Sequence, residues 1–220
     1  MDGVKNRQQV AADETRRSIV DAAARLFAAD GYHATSVARI ASEAGVAVQT
    51  VYNSVGSKIE VLSRVLDHAA AGERAPTPVP VFMLEQAQRE PDPRRVIAQL
   101  VEFWRGAVPR TAPVFRLIRE AAAVDADAAA LERARAAQRL RNYGLAGQVL
   151  ADRGALRAEL SVDEAAAVIF SIGHPEVYRA LVLEGDWDDE RWAAWAQSAL
   201  EAALLEPADE AKAGVPPRPG

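Results

Sequence analysis

Val48, Gln49, Tyr52 and Asn53 fall at helical spacing, so that a helix through them would carry all four on one face. Glutamine and asparagine each offer a donor and an acceptor together, the pattern that pairs with the major-groove edge of adenine, and a valine can touch a thymine methyl. Close by, Thr50, Tyr52, Ser54 and Lys58 supply hydroxyls and an ammonium, which hold phosphate oxygens and so fix position rather than sequence. The chemistry on offer is recognition of a nucleic-acid duplex.

Such side chains need a scaffold. Residues 13–29 place Ile19, Ala22, Ala23, Leu26 and Phe27 on one stripe of a first helix, which Gly31 closes. In TSVARIASEAG, Val37, Ile40, Ala41 and Ala44 share a face of a short second helix, with Thr35 or Ser36 as its N-cap and Gly45 as its stop. A further short helix starting near Ala47 or Val48 gives the punctuation of a helix-turn-helix, with Ile40, Ala41, Val46 and Val51 predicted to pack on Ile19, Leu26 and Phe27. Ser57 and Glu60 sit at capping-box spacing, and Ile59, Leu62, Val65, Leu66 and Ala69 carry a fourth helix toward Gly72. The amide-rich start of that helix, beside Lys58, is a second place for an anion.

The whole chain has 220 residues, half of them apolar, which is enough for one or two domains with a full core. It contains no cysteine, which excludes disulfides, thiolate metal sites and cysteine nucleophiles and suits a reducing compartment. The opening MDGVKNRQQVAADETRR has no apolar signal region, and no run approaches the roughly 18 apolar residues of a membrane span, so a cytoplasmic protein without a membrane partner is expected. The net charge is -5, and Lys5, Lys58 and Lys212 are the only lysines. Over residues 1–72 eight basic residues balance eight acidic ones, so any DNA binding has to come from local placement and helix ends rather than from a basic patch.

The proline-rich APTPVP, residues 75–80, reads as a linker between an N-terminal domain over 13–72 and a second domain over 81–205, with residues 1–12 and 206–220 expected as disordered tails. The second domain stays helical, in segments PDPRRVIAQLVEFWRGAV, TAPVFRLIREAAAV and DADAAALERARAAQRLRNYGLAGQVLADRG. Next comes 161–183, opened by Ser161 and Glu164 and interrupted at His174-Pro175, then a last helix over about 188–205 with Trp192, Trp195, Ala196, Ala199 and Leu200 on one side. No segment alternates as a strand does, so the fold class is all-α. Phe103, Trp104, Phe115, Tyr143, Phe170, His174 and Tyr178 are candidates for an apolar ligand pocket with a few polar tips, although for each taken singly plain core is the more common role. His174 stands out because Pro175 removes an amide just where Phe170 and Tyr178 flank the break, although it could equally serve only as a cap.

The pieces IVDAAARLFAADGY, T-S-V-x-x-I-A-x-x-A-G-V, T-V-Y and G-S-K-x-x-V-L occur in fixed order over residues 15–66, and together they resemble the N-terminal domain of the TetR family of transcriptional regulators. The resemblance implies a homodimer that sets two recognition helices in successive major grooves of a palindromic operator, with a small-molecule effector in the C-terminal domain that releases the DNA. It implies that Thr35 and Ser36 start the phosphate-facing second helix, that Val48, Gln49, Tyr52 and Asn53 read bases, and that Ser54 and Lys58 touch the backbone. It also implies that helices 161–184 and 188–205 pair across the dimer, for which alanine and leucine faces carrying Trp192 and Trp195 are suited. Where many members have a histidine or aromatic pair followed by phenylalanine after the tyrosine, this chain has Asn53, Ser54 and Val55, so Val55 takes the core role and the base preference of Asn53 cannot be carried over.

Two other function classes compete. An enzyme is disfavoured because the phosphate-loop, dinucleotide, H-E-x-x-H and G-x-S-x-G motifs and E-x-x-H pairs are all missing, and because His33, His68 and His174 are far apart; no cofactor is expected. An architectural DNA-binding factor without a ligand is the other alternative, disfavoured because about 140 residues after the first domain exceed what dimerisation requires.

Overall fold

The computed structural model describes residues 2–72 and 79–207. Its helices are α1 Asp2–Ala34, α2 Val37–Glu43, α3 Val48–Ser54, α4 Lys58–Ala71, α5 Val79–Arg89, α6 Pro93–Ala122, α7 Ala126–Asp152, α8 Val162–Ile172, α9 Pro175–Tyr178 and α10 Asp189–Leu204, with one π-helical turn, Arg179–Leu183, continuing α9. Among the described residues there is no strand, and an isolated antiparallel bridge joins Leu156 to Leu205.

Residues 2–12, expected as a tail, are the first turns of α1. The run contains no proline and has its one glycine at the very start, so a helix anchored by the Ile19 stripe propagates backward through it. Toward its other end α1 kinks at Gly31, whose φ of 78° is open to glycine and strained for other residues. Residues 75–78 of the expected linker and 208–220 of the expected tail lie outside the described residues. Val79 and Pro80, also assigned to the linker, open α5, where an amide of the first turn has no intrahelical partner to lose.

Two cores form. The first gathers Ile19, Ala23, Leu26 and Phe27 of α1, Ile40 and Ala41 of α2, Val51 of α3, and Val61, Leu62, Val65 and Leu66 of α4. The second is built on Trp104 of α6 and Trp192 of α10, both fully buried, with Leu150, Ile169, Tyr178 and Leu200 around them. The sequence reads α6 as two segments, whereas one helix runs through both Pro109 and Pro113. Four residues apart, the prolines fall on the same, more exposed side of the helix, and the burial of Trp104, Val108, Thr111 and Ala112 opposite them outweighs the missing bonds. The Thr111 hydroxyl adds a bond by donating to the Ala107 carbonyl at 3.0 Å. Because α6 is continuous, its end carries Val114, Ile118 and Ala121 into the first core. The first core is therefore completed by residues from beyond the proline-rich stretch expected as a linker.

Val162–Leu183 has the length and mean hydropathy of a membrane-crossing helix, contrary to the sequence reading that no run approaches one. It is divided, however, at Gly173, His174 and Pro175 into α8 and α9. Trp192, expected at a dimer surface, lies inside the second core against Trp104 and Tyr178, while Trp195 is half-buried.

Candidate DNA-reading surface and an internal cavity

The turn between α2 and α3 is closed by Gly45 donating to the Ser42 carbonyl at 3.2 Å and Val46 donating to the Ala41 carbonyl at 2.9 Å. Val51 anchors α3 in the core and Val55 packs half-buried beside it, filling the place where a phenylalanine was noted as usual. The opposite face carries Val48 and Tyr52, 41% and 49% exposed, with Gln49 and Asn53 also in solvent. Gln49 Nε2 donates to Asn53 Oδ1 at 2.9 Å, a one-turn pair that leaves an acceptor on Gln49 and an amino group on Asn53 side by side. Adenine presents the complementary donor and acceptor in the major groove.

The expected phosphate contacts separate. Ser36 is exposed and caps α2, accepting from the Arg39 amide at 3.1 Å. Thr50 and Ser54 are half-buried, and the Ser54 carbonyl accepts from Arg16 Nε at 3.2 Å, which ties the end of α3 to α1. Thr35 is no contact: it is fully buried, and its hydroxyl donates to the Gly31 carbonyl at 2.8 Å, where it closes the kinked end of α1. Sequence could not distinguish it from Ser36 because either residue is a good N-cap. Lys58 rests its ammonium 4.1 Å from the Tyr32 ring centroid and 3.5 Å from the His33 carbonyl, and partial burial pushes its pKa down. At the start of α4 the Glu60 carboxylate accepts from the Ser57 amide at 2.7 Å and from its hydroxyl at 2.8 Å, and these bonds hold Glu60 below the usual carboxylate range. For an external anion this leaves the amides of Lys58 and Ile59. Arg25 and Arg39 are paired with Glu43 at 3.1 Å and Asp30 at 2.9 Å, so the surface carries no free basic patch from them.

Behind α4 lies a cavity of about 570 Å³, walled by α4, α5, α6, α7 and the Gly173–Pro175 break. Of the expected pocket residues, Phe103, Trp104, Phe115 and Tyr143 line it. Phe170, His174 and Tyr178 are absent from its wall. The Tyr178 ring is buried 5.1 Å from Trp192, and its hydroxyl donates to Asp189 Oδ1 at 2.6 Å; burial and that carboxylate raise its pKa. Phe170 and His174 meet edge to face with centroids 5.4 Å apart, and the Arg139 guanidinium lies 4.7 Å from the Phe170 centroid. These three side chains pack behind the wall rather than in it, which spacing in sequence does not reveal.

The cavity also takes residues the sequence reading missed: Arg64 and Asp67 of α4, Met83 and Leu84 of α5, and Arg135, Gln138, Arg139 and Asn142 of α7. On α7 they fall at helical spacing with Tyr143 and Ala146, and that signal was available in the sequence. Arg135 is the link to α4, donating to Asp67 Oδ1 at 2.8 Å and to the Ser63 carbonyl at 3.1 Å.

His174 caps α9, its Nδ1 accepting from the Glu176 amide at 3.2 Å. Burial first, and then the Arg139 and Arg119 cations, hold its pKa below the ordinary 6.5. A histidine depressed in this way contributes stability that is full above the unfolded value and is lost as pH falls through the folded one. His174→Asn keeps a capping oxygen without the titration. The stability gap between the two proteins is thus expected to change between about pH 7 and pH 5 to the disadvantage of the wild type. Thermal melts across that range check this, and a gap constant with pH would remove the assignment.

Residues 19–65 match the family model of bacterial regulatory proteins, tetR family. No curated protein is similar to the chain by sequence. Among solved structures, the SmeT–triclosan complex is 19% identical and superposes with a TM-score of 0.67, covering 94% of this chain and 99% of that one. A transcriptional regulator from Saccharomonospora viridis in complex with choline is 18% identical, with a TM-score of 0.65 and 89% and 100% covered. The tetR regulator tylp from Streptomyces fradiae is 24% identical, with a TM-score of 0.64 and 89% of each chain covered. With the helix-turn-helix in place and its outer face free, residues 19–65 are similar to bacterial regulatory proteins of the tetR family, and the chain shares the fold of these regulators.

Proposed function

We propose that the protein is a cytoplasmic, homodimeric repressor that leaves its operator when a small molecule enters the cavity behind α4. The observation that carries this reading is the double role of α4, which begins beside the reading helix and ends as a wall of the cavity, where Asp67 and Ser63 are held by Arg135 of α7. A ligand that displaces this wall changes the position of the reading helix, so cavity and DNA compete through one rigid element. Ser36, Val48, Gln49, Thr50, Tyr52, Asn53, Ser54 and Lys58 remain the proposed DNA contacts, with Lys58 leaving the Tyr32 ring to reach a phosphate. In the cavity Phe103, Trp104, Phe115 and Tyr143 remain the proposed ligand contacts. The test is recovery and sequencing of genomic fragments bound by the purified protein. The expected outcome is a site of two-fold symmetry with half-sites about one helical turn or a multiple apart. A reporter placed behind that site should be silenced by the protein, and activation of the reporter would overturn the repressor assignment.

The dimer would pair α8 and α10 with their symmetry mates. Supporting this are the small exposed residues Ala167 and Ser171 on α8 and Ala194 and Ser198 on α10, which allow close helix approach beside the half-buried Val168, Ile172 and Trp195. Ala167→Glu combined with Ser198→Glu is expected to give a folded monomer, read by sedimentation and circular dichroism. A dimer unchanged by both charges would move the interface elsewhere.

A further inference from the structure

The wall of the cavity holds more positive charge and more hydrogen-bond donors than the fold itself uses. Arg64, Arg135 and Arg139 line it, with Asp67 as the one carboxylate among the lining residues. Arg64 is 60% exposed, so water carries its charge. Arg135 is only 16% exposed, and Asp67 balances it at 2.8 Å. Gln138 spends its carbonyl oxygen on Arg135 as well, at 2.7 Å. Arg139 is left over: among the described residues no carboxylate pairs with it, and its one hydrogen bond is a long one, to the Gly173 carbonyl at 3.4 Å.

The surroundings of Arg139 suit an incoming acceptor. Its guanidinium sits 4.7 Å from the Phe170 centroid, 5.1 Å from Phe115 and 5.9 Å from Tyr143. Stacking on rings uses the face of a guanidinium and leaves its N–H edge for in-plane acceptors, the geometry a carboxylate matches with two parallel bonds. A second donor is idle as well: Trp104 lines the cavity, and its Nε1 is buried without a partner. The remainder of the wall is apolar, with Leu66, Met83, Leu84 and Val108 beside the aromatic rings.

We infer that the cavity takes an amphipathic monocarboxylate, its carboxylate on Arg139 and its aliphatic or aromatic body between Trp104, Met83 and Leu84. One half-buried cation without a carboxylate partner among the described residues calls for one negative charge, and a cationic ligand would add to an existing excess. The inference rests on the reading of the cavity as the effector site, and deepens it by naming the ligand class.

The experiment is calorimetric titration of the full chain with two matched series: 1-naphthoate, 1-naphthamide and 1-naphthylmethylammonium, and decanoate, decanamide and decylammonium. Within at least one series the carboxylate is expected to bind about tenfold to a hundredfold tighter than its amide and its ammonium, the range of a charge-assisted bond in a desolvated site. Arg139→Gln is expected to erase that margin while leaving amide affinity within about twofold, whereas Arg64→Gln should keep it. If Arg139→Gln does not fold, the preference order in the unmodified protein decides by itself. Amide or ammonium binding as tightly as carboxylate in both series overturns the ligand class and leaves the cavity a ligand site. Absence of binding by all six probes overturns the cavity as a ligand site, and the ligand class with it.

Discussion

Asn53→Ala is expected to weaken operator binding by about tenfold to a hundredfold, the loss typical of one bidentate base contact, and to relax the base choice at one position of each half-site. The effect is large because the pairing of Gln49 with Asn53 fixes the donor and the acceptor before DNA arrives, so the alanine removes one half of a preset reader and frees the other. Tyr52→Ala should lower affinity in a different way, uniformly across related sequences, if its hydroxyl serves a phosphate. Both positions are exposed, so the melting temperature should not move. Fluorescence anisotropy with the recovered operator at one fixed salt concentration measures both variants, since affinities at different salt are not comparable. Full affinity in both variants would remove α3 as the reading element.

Gly173→Ala is expected to be among the most damaging single substitutions in the second core. A Cβ at this position would stand 2.2 Å from Cζ2, 2.5 Å from Cη2 and 2.6 Å from Cε2 of Trp104. The backbone there is not the difficulty, because φ is -83°. The obstacle is a rigid ring, fully buried between Tyr143 at 5.9 Å and Trp192 at 6.5 Å. Overpacking of this kind costs about 1–3 kcal/mol or more, a large share of the roughly 5–15 kcal/mol that holds a domain folded. The ring has one escape, into the cavity it lines, so a variant that keeps its melting temperature should lose ligand binding. Gly144→Ala is the control: its added methyl meets nothing within 4 Å, and inside a helix it should stabilise by about 0.5–1 kcal/mol. Normal stability together with normal probe binding in Gly173→Ala would refute the packing of Trp104 on the helix break.

Much of the helix-turn-helix and of the exposed face of α3 was legible in advance. Local rules place Gly45 at the turn, Ser57 and Glu60 at the start of α4, and Val51 inward with Tyr52 outward, because capping and helical periodicity act between residues a few positions apart. Thr35 and Ser36 show the limit of such rules: adjacent and chemically alike, they divide into a buried strut and an exposed cap according to how α1 ends. The pocket was half legible. Phe103, Trp104, Phe115 and Tyr143 were found by residue type, whereas Arg135 and Arg139 were passed over because charge on a long helix ordinarily faces water.

The sequence by itself determined an all-α chain with a helix-turn-helix at its N-terminal end and which side chains of α3 stand outward in solvent. These follow from short-range preferences written into consecutive residues. Only the tertiary structure decided that α6 runs unbroken through two prolines to complete the first core, that Trp192 is core rather than surface, and that Phe170, His174 and Tyr178 are not part of the cavity wall. It also decided which arginine of the cavity wall has no carboxylate partner among the described residues. Each of these depends on contacts between residues tens of positions apart, where burial on one side of a helix outweighs the local preferences on the other.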